Sequence, residues 1–427
     1  MMLKVERGKT LLVDGPARIQ LNVGKLSVLG TLVEPKEQIV VRRGKRMPLE
    51  SIVDCEVELA LGDSASYTII EGDAIPTSWK QAAEKILSRG APTTVLVVGG
   101  VDCGKTAFCT YLANSSFAKK LKIAIVDGDI GQSDIGPPGT VSLCKLNSTV
   151  VDLFKLQADE LRFIGVTSPG RKPRAVVDAL QALKQKALEQ SSDLVIVNTD
   201  GWVEGEAAVD YKVNLVEKLA PNVIVAVKCN GELTPIIEVV STNHEVVVVS
   251  SPQLIKKRDQ ETRKLLRESA YKKYLKETKV RSFPLSWIAV DGDLMFKKGV
   301  DSLLKKRIEG LTGKEVLFCQ EFPNYVAVMV GKTFSFEEEH VKKLESELGK
   351  RVFCLRRGDE EGLLISLEDA AGKVLGLGTI SYIDFDKGNI VINTAVNGEV
   401  TKIVVSQIKL NGEGHEIGML FENLSLS

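Results

Sequence analysis

An unbroken apolar run, TVLVVGG at residues 94–100, ends in glycines and gives way at 106–120 to a helical pattern, TAFCTYLANSSFAKK. Between them stands GGVDCGKT (99–106), in which Gly99, Gly104, Lys105 and Thr106 carry the spacing of a phosphate loop. The strand before it and the helix after it supply the context that separates such a loop from a chance match. Glycines let backbone N–H groups turn inward around phosphates, and the helix N-terminus adds positive dipole at the same point. The expected cradle is Gly99, Gly100, Val101, Asp102, Cys103, Gly104, Lys105, Thr106 and Ala107. Lys105 is expected to reach the β- and γ-phosphates, and the Thr106 hydroxyl to sit on Mg²⁺. Cys103 reads as a small filler of the loop, since no histidine lies near it in sequence.

Buried strands then alternate with helices. Residues 122–129, 193–202, 222–229 and 244–251 are continuous apolar runs, with helical patterns at 176–191 and 214–220. This alternation predicts an α/β domain with a mostly parallel sheet covered on both faces. Short runs at 18–23, 37–41, 54–61 and 66–70, separated by turn residues, predict a small β-sandwich or barrel, followed by a helix at 77–89. After residue 310 strands dominate again. Residues 376–396 read as a hairpin around the turn DKGN (386–389). The expected organisation is an N-terminal β-rich domain at 1–90, a P-loop domain at 91–310 and a C-terminal β-rich domain at 311–427. A charged helical lid is expected at 253–281.

Composition narrows the class. The 427 residues hold 56 Lys plus Arg and 56 Asp plus Glu, so a globally basic nucleic-acid coat is excluded. Seven scattered cysteines form no CxxC pair, which points to reduced thiols in a cytoplasmic protein. The first residues lack an apolar signal core, and no run of about 18 apolar residues is present, so neither a leader nor a membrane partner is expected.

VDGDIGQSDIGPPGTVSL (126–143) follows the second buried strand. Asp127 and Asp129 therefore stand at the carboxyl end of a parallel strand, where open α/β sheets bind ligands. Either could hold Mg²⁺ through water or accept a proton from an attacking hydroxyl. Thr167 and Ser168 offer hydroxyls on a turn forced by Pro169 and Gly170. Trp202, at the end of another buried strand, could stack on a nucleobase. Residues 256–281 carry eleven Lys or Arg against four acids, a net of seven positive charges. Within them, Arg258 and Arg263 are about 140° apart on an ideal helix. They can bracket one phosphate only if the helix begins between them or lies across the site.

A P-loop followed by D-x-D-x-G-Q and then P-G-x-x-S-L resembles the polynucleotide 5′-hydroxyl-kinase family. That family includes the RNA-kinase subunit of the pre-mRNA cleavage complex, the nucleolar ribosomal-RNA-processing kinase and archaeal relatives. FIGVTSPG (163–170) resembles its phosphate-gripping clasp, NTDGWVEG (198–205) its N-T-x-G-W segment, RDQETR (258–263) its two-arginine lid, and GTISYIDFDKGNIVINTAV (378–396) a strand pair of its C-terminal domain. The resemblance covers nearly the whole chain and is weakest over residues 1–75. It implies an archaeal-type kinase that moves the γ-phosphate of ATP or GTP onto the 5′-hydroxyl of RNA, with DNA as a second substrate class. Catalysis is then expected from Lys105, Asp129, Arg258 and Arg263. Asp129 aligns with the family acid and is the expected base. Thr106, Asp127 and Asp129 are the expected metal set, and Gln132, Thr167, Ser168 and Trp202 the expected substrate contacts. Expected partners are RNA 5′ ends, the nucleoside triphosphate and subunits of an RNA-processing complex.

Two positions depart from the family pattern. Cys103 stands where Ser is frequent, and Asp200 puts an acid at the variable position of N-T-x-G-W, near the expected phosphates. An ATP-binding scaffold with little catalysis is the alternative. A regulatory GTPase fits less well, because VKCNGE (227–232) is only a faint echo of a guanine-selecting motif.

Overall fold

The computed structural model describes residues 1–292, 301–323, 325–334, 336–385 and 387–419. They divide into two compact units at Ala270/Tyr271.

The first unit opens with a β-sandwich. A four-stranded antiparallel sheet, ordered 2–5, 55–61, 17–23, 38–41, faces a five-stranded one ordered 31–33, 26–28, 46–51, 9–14, 66–71. Alternate residues point inward, as period-two patterning requires. Val13, Ile19, Leu26, Leu49 and Val57 are among the side chains that close the core. Helix Thr77–Leu87 follows and buries Trp79, Ala82, Ala83 and Ile86.

The sheet behind the phosphate loop has seven strands. In spatial order they are 160–163, 140–146, 123–128, 194–199, 93–99, 223–228 and 246–250. The last five run parallel, while Thr140–Leu146 and Glu160–Phe163 extend one edge antiparallel. The mostly parallel sheet is as predicted. The antiparallel edge is not foreseen, because GPPG turns the chain straight back after the 123–128 strand and its loop. Helix Lys105–Phe117 packs with helix Thr77–Leu87, and helix Pro173–Glu189 packs with helix Glu206–Leu219. The latter helix starts eight residues ahead of the predicted 214, with Gly205 at its N-cap and the acidic Glu206 in its first turn.

The sandwich is tied to this domain by ion pairs at Asp134. Arg42 and Lys45 each reach Asp134 at 2.7 Å, and Arg42 also reaches Asp152 at 2.8 Å. The Arg42 guanidinium lies over the Phe154 ring at 3.9 Å.

The second unit contains a sheet ordered 279–284, 389–394, 374–384, 363–368, 402–410, 289–292, with 416–419 paired to 402–410. A smaller sheet of Val316–Glu321, Tyr325–Val330 and Arg351–Arg356 carries helices Ser302–Thr312 and Glu338–Leu348. The hairpin expected at 376–396 is formed, although Asp386 in its turn lies outside the described residues. Residues 279–292 join this sheet and not the P-loop domain. The reason is a long-range pairing, Lys279–Pro284 against Asn389–Thr394, which no local pattern reveals. The lid stretch is helical only over Gln260–Tyr274.

Burial alone would push the Asp134 carboxyl up, but Lys45 and Arg42 outweigh it and hold it far below the usual carboxylate range. Its contribution to stability is therefore complete above the ordinary aspartate pKa and is lost as pH falls below it. Asp134→Ala is expected to lower unfolding free energy by about 2–3 kcal/mol at pH 7. That is less than the 3–5 typical of a broken buried pair, because Arg42 keeps Asp152. Denaturant melts at pH 7 and pH 3 check this: the difference between variant and wild type should shrink in acid.

Candidate active site

A cavity of about 310 Å³ opens at the phosphate loop. It is lined by the loop residues 101–107, by Asp129, Gln132 and Thr167, by Arg258 and Arg263, and by Gly44, Lys45 and Arg46 of the sandwich. Residues far apart in sequence are thus gathered at the carboxyl ends of the parallel strands, as the strand order requires.

The loop turns sharply. Gly104 has φ +104, and a Cβ at Gly99 would lie 2.5 Å from Cys103 Sγ. Lys105 is 6% exposed and donates to the carbonyls of Gly99 (2.9 Å) and Gly100 (2.7 Å). The lysine is folded over its own loop, with its amine at the cavity. Cys103 is buried and its thiol is pushed up by that burial, so the filler reading holds on physical grounds.

Asp127 and Asp129 have different surroundings. Asp127 is fully buried. Its Oδ2 accepts from Ser133 Oγ and from the backbone N–H of Asp134 and Ile135, and its Oδ1 from Asn198 Nδ2 and the N–H of Asp129. Burial pushes its carboxyl up. These bonds engage both oxygens, so Asp127 holds the turn 129–135. Asp129 lines the cavity and accepts from the Gln132 N–H at 3.0 Å. Its carboxyl is pushed up to about 6, first by burial and further by Asp127 and Asp200, against the pull of Lys105. Asn198 Nδ2 also reaches Thr106 Oγ1 at 3.4 Å, linking the metal-ready hydroxyl to the Asp127 turn.

The lid arginines meet at one acid. Asp102 Oδ2 accepts from the Arg258 N–H (2.9 Å) and from Arg263 Nη2 (3.0 Å), while Oδ1 accepts from Arg258 Nε (2.6 Å). The helix starts at Gln260, between the two arginines, one of the two arrangements that let both face one phosphate. Asp259 sits at that start and accepts from the Thr262 N–H at 2.7 Å. Gln132 Nε2 donates to the Arg263 carbonyl at 3.2 Å. Gln132 Oε1 and Arg263 Nε are both buried without a hydrogen-bond partner. Buried polar atoms left so are rare, and here both lie on residues that line the cavity.

The clasp and N-T-x-G-W segments touch. A Cβ on Gly170 would meet the Trp202 ring at 3.2 Å, and Trp202 stacks on Tyr211 with centroids 5.5 Å apart. Thr167 and Gly201 line the cavity; Ser168 and Trp202, expected as substrate contacts, are not among its lining residues. Asp200 is not a loose acid. Lys212, 0% exposed, bonds its carboxylate at 3.0 Å, and Tyr211 OH and the Trp202 N–H complete the shell. This internal pair cancels the charge that the sequence placed near the phosphates.

Several cavity residues escaped the sequence reading. Lys45 and Arg46 lie in RRGKR (42–46), a cluster of cations between two short strands that could have signalled an anion site. Asn198 sits inside the quoted N-T-x-G-W segment. Lys212 gave no signal, because a lysine on a helix normally reads as solvated.

Lys212→Met should leave Asp200 buried and uncompensated, at a cost of about 3–5 kcal/mol. The double variant with Asp200→Leu should recover much of that loss. Denaturant unfolding of the two proteins checks the pair.

Residues 99–277 match the family model described as mRNA cleavage and polyadenylation factor CLP1 P-loop. A polyribonucleotide 5′-hydroxyl-kinase of Pyrococcus abyssi is 29% identical over 352 residues, covering 81% of this chain and 96% of that protein. One of Methanocaldococcus jannaschii is 26% identical with similar coverage, 81% and 95%. The solved Clp1p chain of a Clp1p–Pcf11p complex superposes with a TM-score of 0.67 at 12% identity, over 96% of this chain and 97% of that one. The fold is therefore shared from end to end, and the loop, the paired aspartates and the two-arginine lid stand on the segment that the model matches. Over its P-loop segment, residues 99–277, the chain is thus similar to the CLP1 P-loop family.

Proposed function

We propose that the protein is a polynucleotide 5′-hydroxyl kinase that transfers the γ-phosphate of ATP to the 5′-hydroxyl of RNA. The observation that carries this reading is the convergence of Lys105, Thr106, Asp129 and Arg263 on one cavity. The names of the archaeal relatives, which cover most of the chain, support the same reaction and RNA as its acceptor.

Phosphoryl transfer needs alignment and charge neutralisation more than covalent chemistry. Lys105 is placed to exchange its bonds with the Gly99 and Gly100 carbonyls for bonds to the phosphates. A larger groove of about 760 Å³ shares Arg46, Ala107, Ile255 and Lys256 with the phosphate cavity. Its apolar sides, among them Leu12, Ile70 and Ile75, suit a nucleobase. The Thr106 hydroxyl and Asp129 carboxylate are hard oxygen donors on one cavity wall, and they fit Mg²⁺, which needs few protein ligands beside phosphates. Such an ion would offset charge on the β- and γ-phosphates. Asp129 has a carboxyl near the pH of action and is placed to accept the proton of the 5′-hydroxyl. Thr167 and Gln132 line the side of the cavity on which the RNA end would be gripped.

Single-turnover assays with γ-labelled ATP and 5′-hydroxyl oligonucleotides test this reading. Transfer to RNA is expected, and a DNA oligonucleotide in parallel sets the acceptor range. Nucleotide binding without transfer would turn the reading into that of a scaffold. Lys105→Ala should abolish transfer in a folded protein. Asp129→Asn should slow the chemical step by a factor on the order of 10²–10⁴, and nucleotide affinity should change far less.

A further inference from the structure

We propose that Asp102 is a positioning residue that docks the lid onto the phosphate loop, with Arg258 as its fixed partner and Arg263 as the arginine kept free to engage the transferring phosphate. This rests on the kinase reading above.

Asp102 stands in the loop with φ +56, a left-handed conformation that Asp and Asn tolerate better than most residues. That conformation presents its carboxylate to residues some 160 positions away in sequence. An acid inside a phosphate loop works against anion binding unless it is neutralised in place. Here two guanidiniums meet one carboxylate, so the cluster keeps a net positive charge toward the cavity. Burial opposes the ionised form of Asp102, but Arg258 and Arg263 prevail and hold the carboxyl below the usual range.

The two arginines are bound unequally. Arg258 is tied through its backbone N–H and its guanidinium, and its side chain is 18% exposed. It precedes the helix, so its N–H is not needed within the helix. Arg263 contributes a single Nη2 contact, and its Nε is buried with no partner. A guanidinium has five donors in a fixed fork, and an orphaned Nε beside a phosphate cavity is a donor in wait of an anion. Arg258 thus fastens the lid, and Arg263 swings without unfastening it.

The test uses the full chain. Asp102→Asn keeps the shape and the backbone conformation but removes the charge; Asp102→Gly is a second variant in case the amide disturbs folding. At saturating ATP and 5′-hydroxyl RNA, both should lower turnover at least tenfold, about 1.4 kcal/mol in the barrier, with the KM for ATP changed far less. Trypsin, applied without nucleotide, reads lid docking independently of activity, because Lys256, Lys257, Arg258 and Arg263 are all cleavage sites. Cleavage there should be markedly faster in both variants. Arg258→Lys should both lower turnover and release the lid; Arg263→Lys should lower turnover with the lid still protected. The proposal is overturned if the Asp102 variants keep wild-type turnover and protection, if turnover and ATP affinity fall together, or if the two arginine variants behave alike. A wild-type protein that transfers no phosphate would instead refute the kinase reading, and the trypsin comparison would still decide whether Asp102 holds the lid.

Discussion

Acidic side chains beside a phosphate site have to be cancelled locally, and the first unit is built around that requirement. Asp102 meets Arg258 and Arg263, Asp134 meets Arg42 and Lys45, and Asp200 meets Lys212. Each acid does something else as well: one gathers the lid, one fastens the sandwich, one fixes the N-T-x-G-W turn. Asp129 differs from them. It has Lys105 near it but no ion pair of its own among the described residues, and it is the carboxyl pushed up to about 6.

Much of this could be read from the chain before any coordinates. The glycine spacing, the strand before it and the helix after it located the loop. The five-residue interval between Arg258 and Arg263 allowed both to bracket one phosphate if a helix began between them or lay across the site, and a helix begins between them, at Gln260. What could not be read lies in pairings between distant segments. Lys45 and Arg46 reach the cavity only because the sandwich docks on Asp134 and Asp152. Lys212 looks like an ordinary helix lysine until Asp200 is found beneath it. The division at residue 270 depends on strand 279–284 pairing with a partner more than a hundred residues later. Asp127 and Asp129 looked equivalent at a spacing of two, and only the hydrogen bonds around Asp127 separate a turn-holder from a cavity-lining acid.

The orphaned atoms reinforce that division of roles. Gln132 Oε1 and Arg263 Nε are an acceptor and a donor that lie in the same site without satisfying each other. Each is costly to bury unpaired, by about 1–3 kcal/mol. Binding that completes both bonds regains that free energy at the place where geometry matters most. The site is therefore prepared for its ligand by bonds it withholds as much as by bonds it makes.

The wall shared by the two cavities has a consequence for how the protein can be divided. Arg46 belongs to the sandwich, yet it borders both the phosphate cavity and the adjoining groove, held there by Asp14 and by the Leu254 carbonyl. Trimming the chain to its nucleotide-binding core would remove one side of the container in which a nucleotide lies. The smallest part that could retain the reaction thus begins at the first strand of the sandwich, and the N-terminal domain is inherited with the chemistry as an integral wall of its vessel.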